Sequence, residues 1–104
     1  MFYPIVTKLA GVTYGDAQEN IKKYGSPEIG SYALVREPDN PEDPNAIRVM
    51  HVGVYHMGYL PRKVARHIAA LMDMGLRFVA LFVQCNRAPG GETVGLTVEI
   101  VECP

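Results

Sequence analysis

The sequence predicts a mainly β, α+β domain of about six strands and two helices, its sheet curled into a small barrel sealed at one end by a helix. Three observations predict it. Val94, Leu96, Val98 and Ile100 alternate without a break, the period of two expected of a half-buried strand. Shorter segments of the same kind recur along the chain, separated by turn residues. A single strongly amphipathic helix then interrupts the strands late, after Pro61. Short consecutive strands with one such helix suit a small barrel, and an open two-layer sheet is the competing arrangement. At 104 residues, with 48% apolar and 20% charged residues, the chain fits one globular domain over positions 1–104.

Taken in order, Tyr3 to Leu9 is rich in Tyr, Ile, Val and Thr and reads as a strand. Asp16 to Gly25 opens on a good N-cap residue and closes on Tyr-Gly, which predicts a short helix with Gly25 at or near its C′ position. Ser31 to Arg36 is the next strand, with Tyr32 and Leu34 on one face. It runs into an acid-rich loop, after which Ala46 to Val52 is a strand whose Ile47 and Val49 share one face and Arg48 and Met50 the other. Gly53 supplies a tight turn to a hairpin partner at Tyr55 to Leu60.

Pro61 suits the first turn of a helix that Gly75 closes. At 100° per residue Val64, Ile68, Leu71 and Met72 fall within an arc of about 100°, opposite Arg62, Lys63, Arg66 and His67. Leu76 to Arg87 and Glu92 to Glu102 are two long strands joined by Ala-Pro-Gly-Gly. No fixed-period repeat or low-complexity segment is present.

A net charge of −1 excludes a protein that coats nucleic acid by bulk electrostatics, so any such contact must be local. Cys85 and Cys103 are too few for a disulfide scaffold and form no C-x-x-C pair. The first eleven residues carry no basic, apolar and small-residue succession of a signal peptide, and the apolar run Phe78 to Val83 is far short of a membrane span. These features lead us to expect a soluble cytoplasmic domain.

No catalytic motif stands out. The two serines, Ser26 and Ser31, have no histidine nearby in sequence, and no phosphate-binding glycine loop is present. His51, His56 and Cys85 match no compact zinc pattern. The stretch Asp39 to Asn45 has calcium-loop residue types, but Pro41 and Pro44 stand where a glycine turn and a bidentate ligand would be needed. Asx and Pro residues there build consecutive turns, with Asp43 or Asn45 bonding nearby backbone N–H groups. Arg62, Lys63 and Arg66 are the solvated side of a helix, although Arg62 and Lys63 at its start could also hold a phosphate.

Three stretches, "GVTYGDAQ", "LVREPDNPEDPNAIRV" and "MGYLPRKVARHIAALMDMG", resemble the HIRAN domain in order, spacing and residue type over nearly the whole chain. The most specific part is E-P-x-N-P-x-D-x-N-A-I-x-V from Glu37 to Val49, reinforced by G-Y-L-P from Gly58 to Pro61. The resemblance implies an OB-like or SH3-like barrel that captures the 3′-hydroxyl end of single-stranded DNA, without catalysis or cofactor. In that family the module occurs inside SWI/SNF-type fork-remodelling helicases and as free-standing bacterial chains. This chain has no room for a motor, so the free-standing kind is expected, with DNA repair or fork processing falling to a separate helicase or nuclease.

By the same resemblance, Tyr14 matches the aromatic that stacks on a terminal base, and Asn40 and Asp43 match the loop residues that meet the terminal sugar. Tyr59 and Arg62 sit where the family places polar or basic groups near the backbone phosphate. Thr13 replaces a basic residue of eukaryotic members and Glu42 replaces a frequent second aromatic, which implies weaker binding than theirs. A carboxylate at Asp43 would accept a hydrogen bond from a free 3′-hydroxyl and repel the phosphate of an internal nucleotide. Two other classes are a protein-interaction module using the same groove or a sheet edge, and a small hydrolase or metalloprotein.

Overall fold

The computed structural model describes residues 2–104. It contains β1 (Ile5–Lys8), α1 (Ala17–Tyr24), β2 (Ser31–Arg36), β3 (Ile47–His51), β4 (Tyr55–Tyr59), α2 (Arg62–Asp73), β5 (Phe78–Arg87) and β6 (Val94–Glu102). The strands form one antiparallel sheet in the order β1-β6-β5-β2-β3-β4.

Two outer strands and a bridge make this sheet a partly open barrel. Ala10, just beyond β1, exchanges backbone bonds with Tyr59 at the end of β4: Ala10 N–H donates to the Tyr59 carbonyl at 2.7 Å, and Tyr59 N–H to the Ala10 carbonyl at 2.8 Å. The approach depends on Gly58. Its φ of 146° lies where side chains are rarely tolerated, and a Cβ there would stand 2.9 Å from the Ala10 carbonyl oxygen. Register irregularities at Val49/Met50 and at Phe82/Gln84 supply further bend.

The barrel interior is filled by alternate strand residues, among them Tyr32, Ile47, Val49, Leu96, Val98 and Ile100, with Ile21 of α1 and Ile68 of α2 packed on them. Burying each Ile or Leu side chain contributes about 2 kcal/mol. Burial also pushes the Tyr32 phenol up to about 12, and its hydroxyl donates to the Tyr24 carbonyl at 2.6 Å, so this one polar atom enters the core satisfied.

β2 spans the expected residues, and the other strands are trimmed at their ends. β1 begins after Pro4, which has no N–H for the ladder. β3 stops at His51 because Val52 and Gly53 both have positive φ, 46° and 70°, with Val54 N–H closing the turn on the His51 carbonyl at 3.0 Å. β5 loses its alternation at the bulge, where Val83 turns out to 45% exposure.

Helix ends differ in detail. Asp16 precedes α1 but makes no side-chain cap bond, and Gly25 ends it at φ −82° with its N–H on the Ile21 carbonyl at 2.8 Å. Pro61 is the N-cap of α2 rather than a residue of its first turn. Gly75 closes α2 at φ 99° in a Schellman arrangement, its N–H on the Met72 carbonyl and that of Leu76 on the Leu71 carbonyl. The buried face of α2 is centred on Ala65, Ile68 and Ala69, with Val64, Leu71 and Met72 half-buried beside it. Among the described residues, no helix is long and apolar enough to cross a membrane.

Candidate nucleic-acid interface

One cleft of about 810 Å³ lies between the acid-rich loop, the closing bridge and the start of α2. Tyr14, Asn40, Glu42, Asp43, Tyr59 and Arg62 all line it. Of the remaining candidates, Lys63 lines a neighbouring hollow and Thr13 is exposed in the loop before α1, lining neither.

Tyr14 is placed by a short loop whose geometry is held from α1. Its N–H donates to the Gly11 carbonyl at 3.1 Å, and its own carbonyl accepts from Ala17 at 3.2 Å. The Gln18 carboxamide ties that loop to β6: its Nε2 donates to the Val12 carbonyl at 2.7 Å and the Val94 carbonyl at 2.9 Å, while Oε1 accepts from Val94 N–H at 2.8 Å. The Tyr14 ring is left 62% exposed, its centroid 6.5 Å from that of Tyr59. Two aromatic rings therefore form one wall of the cleft, although Glu42 supplies none.

The opposite wall is the loop, organised by its own side chains. Asn40 Oδ1 accepts from Glu42 N–H at 2.8 Å, and its Nδ2 donates to Glu37 Oε1 at 3.0 Å. Asp43 Oδ1 accepts from Asn45 N–H at 2.9 Å, the Asx turn that the proline-rich stretch favours. Asp43 Oδ2 makes no hydrogen bond within the described residues, so it is free to accept one from a ligand.

The cleft wall also carries a hydrogen-bonded network of Glu37, Arg48 and Tyr59 that no sequence motif announces. The Tyr59 hydroxyl donates to Glu37 Oε1 at 2.9 Å and accepts from Arg48 Nη2 at 2.9 Å. Arg48 Nε stands 2.9 Å from Glu37 Oε2, and its guanidinium lies 5.4 Å from the Tyr59 ring centroid. The Tyr59 hydrogen bond raises the Arg48 pKa against the opposing effect of burial, with Glu37 adding to the rise, and burial raises that of Tyr59. Tyr59 thus presents its ring rather than a free hydroxyl. Arg48 and Tyr59 are cross-strand partners in the β3–β4 ladder, a pairing readable only once the register is known.

His56 is the other group not anticipated. It is 9% exposed, packs edge-on to Tyr14 at 5.7 Å and to Tyr59 at 5.4 Å, and neither ring nitrogen has a hydrogen-bond partner. Burial, and then Arg48, lower its pKa, outweighing the opposing pull of Glu37 and Asp16. The folded state therefore binds this proton less readily than the unfolded chain. Its contribution to stability is complete above the unfolded value of about 6.5 and is lost as pH falls from there toward the lowered folded value. Denaturant unfolding at about pH 7.5 and about pH 5 should give a lower midpoint in acid, and His56→Gln should shrink that difference.

No group of three or more candidate metal ligands occurs among the described residues. Cys85 and Cys103 are both free thiols.

A family model described as the HIRAN domain matches residues 3–102. The chain belongs to the HIRAN family. Within its HIRAN domain, 49 residues are 43% identical to the Fanconi-associated nuclease 1 homolog of Oryza sativa subsp. japonica, covering 44% of this chain and 5% of that protein. A further 41-residue match, 49% identical, is to the helicase-like transcription factor of Oryctolagus cuniculus, covering 39% of this chain and 4% of that protein. The chain therefore spans a small fraction of the length of these curated relatives. A crystal structure of a Lactobacillus plantarum protein superposes with a TM-score of 0.71 at 22% identity, over 97% of this chain and 98% of that one. The crystal structure of the HIRAN domain of human HLTF superposes with a TM-score of 0.61 at 20% identity, over 93% and 74%. Both likenesses establish the small OB-like fold.

Proposed function

We propose that this HIRAN domain binds single-stranded DNA by its free 3′-hydroxyl end and carries out no chemistry itself. The remodelling or cleavage of that DNA then belongs to a separate helicase or nuclease, in repair or replication-fork processing. The observation that carries the reading is the cleft: an exposed aromatic wall faces a half-buried carboxylate with one oxygen still free. The terminal base stacks on Tyr14, the terminal hydroxyl donates to Asp43 Oδ2, and Arg62 at the cleft edge meets the adjoining phosphate. Base stacking on one aromatic ring contributes about 1–3 kcal/mol and tolerates any base.

Fluorescence anisotropy with short single-stranded oligonucleotides tests this. Tyr14→Ala should weaken binding by about tenfold or more, and by a similar factor for different terminal bases. An unchanged affinity would remove Tyr14 from the site. Tyr14 is largely exposed, so its removal should leave the fold intact.

A protein-interaction module is the second reading, and one observation favours it. Val52, Val54 and Tyr55 are 69%, 68% and 39% exposed at the β3–β4 tip, and none of them lines the cleft. Retention of a specific protein after nuclease treatment, without measurable oligonucleotide binding, would select that reading.

A further inference from the structure

The positive charge of this region that forms no ion pair among the described residues lies along the start of α2, from the cleft edge at Arg62 outward. Arg36 is paired with Asp73 at 3.1 Å, and Arg48 with Glu37 at 2.9 Å. In each pair the carboxylate already offsets the charge that a phosphate would meet. Arg62, Lys63 and Arg66 form no ion pair among the described residues, and all three are exposed on α2.

These three side chains line a second hollow of about 310 Å³ together with Asp43 and Asn45. Asp43 and Arg62 line the main cleft as well, so the two depressions meet at those residues. Arg62 and Arg66 are four positions apart on one helix, so they project from the same face, about one 5.4 Å turn from each other. A flexible single strand can match that spacing with successive phosphates. The chain as a whole is nearly neutral, which leaves this hollow as a local track rather than part of a general basic surface.

We propose that the bound strand leaves the cleft over the hollow on α2, with Lys63 and Arg66 contacting a second phosphate on the 5′ side of the terminal nucleotide. The proposal rests on the end-capture reading, because it takes Asp43 as the place of the 3′-terminal sugar. From there the strand has one polarity: sugar at Asp43, first phosphate at Arg62, second at Lys63 and Arg66. A dinucleotide, with one internal phosphate, reaches Arg62 alone, whereas longer strands also use Arg66.

The test compares a thymidine dinucleotide and hexanucleotide, both with 3′-hydroxyl ends, against wild type, Arg66→Gln, Arg66→Lys and a charge control on α1, Lys23→Gln. Arg66→Gln should weaken hexanucleotide binding by about threefold and leave the dinucleotide unchanged. It should also reduce the slope of log affinity against log salt by about 0.7 for one lost phosphate contact. Arg66→Lys should restore most of the slope. Hexanucleotide affinity and slope equal to wild type in Arg66→Gln, or an equal loss in Lys23→Gln, would overturn the track. Failure of end capture has a different signature: wild type would bind a 3′-phosphorylated hexanucleotide as well as the 3′-hydroxyl one, whatever Arg66 contributes to the slope.

Discussion

Asp43→Asn is expected to weaken binding of a 3′-hydroxyl strand by about tenfold and to strengthen binding of a 3′-phosphorylated one. A hydrogen bond to a charged group contributes about 1.5–3 kcal/mol, and partial solvent access at the cleft places this one toward the lower end, near one decade of affinity. The substitution is nearly isosteric, and the amide oxygen can still accept from Asn45 N–H as Oδ1 does at 2.9 Å. The Asx turn therefore survives, and the change is confined to the free oxygen. An amide in its place bears no charge, so it no longer repels a terminal phosphate. Anisotropy titrations with the two ends, on wild type and variant side by side, measure both effects. A variant that loses affinity equally for both ends would show Asp43 to act through loop structure instead of end discrimination.

Gly58→Ala should produce the largest loss of stability, about 3 kcal/mol. Moving a side chain into a glycine-only backbone region costs about 1–3 kcal/mol, and a Cβ 2.9 Å from the Ala10 carbonyl forces the closing bridge apart. The two backbone bonds of that bridge each contribute about 1 kcal/mol. For a domain of this size the melting temperature should fall by about 10–20 °C. The effect reaches the site as well, because Tyr59 is one partner of the bridge and the Gly11 to Tyr14 turn follows the other. Thermal unfolding monitored by circular dichroism gives the stability change. A melting temperature within about 3 °C of wild type would mean that the barrel closes by other contacts.

Much of this fold could be read in advance, and the reasons are local. The alternation of β6 and the Pro61-to-Gly75 helix depend on residues close in sequence, and both are found at nearly their expected bounds. The acid-rich loop was likewise legible as a series of Asx turns, and Asp43 and Asn40 each make one. Its membership of the cleft with Tyr14, Tyr59 and Arg62 was carried by the family resemblance, not by spacing.

What escaped the sequence depends on register and close packing. Glu37, Arg48 and Tyr59 come from three separate segments, and their network exists because β3 and β4 pair Arg48 with Tyr59. Asn40 lines the cleft, and its amide also bonds at both ends within the loop, a role in shaping the wall that carries Asp43 which spacing alone did not reveal. Nothing in the spacing of His56 marked it beyond its failure to fit a zinc pattern, whereas the Tyr14 ring packs edge-on against it and leaves it 9% exposed. Glu42 brings no aromatic to the cleft, whose second ring is that of Tyr59, its hydroxyl tied to Glu37 and Arg48.

The central claim is that a free carboxylate oxygen reads the chemistry of a strand end. Affinity of the wild-type protein for one oligonucleotide carrying either a 3′-hydroxyl or a 3′-phosphate, at a single salt concentration, measures it most directly. Binding at least about tenfold tighter to the hydroxyl end is the predicted result, and equal affinity for the two ends would contradict it.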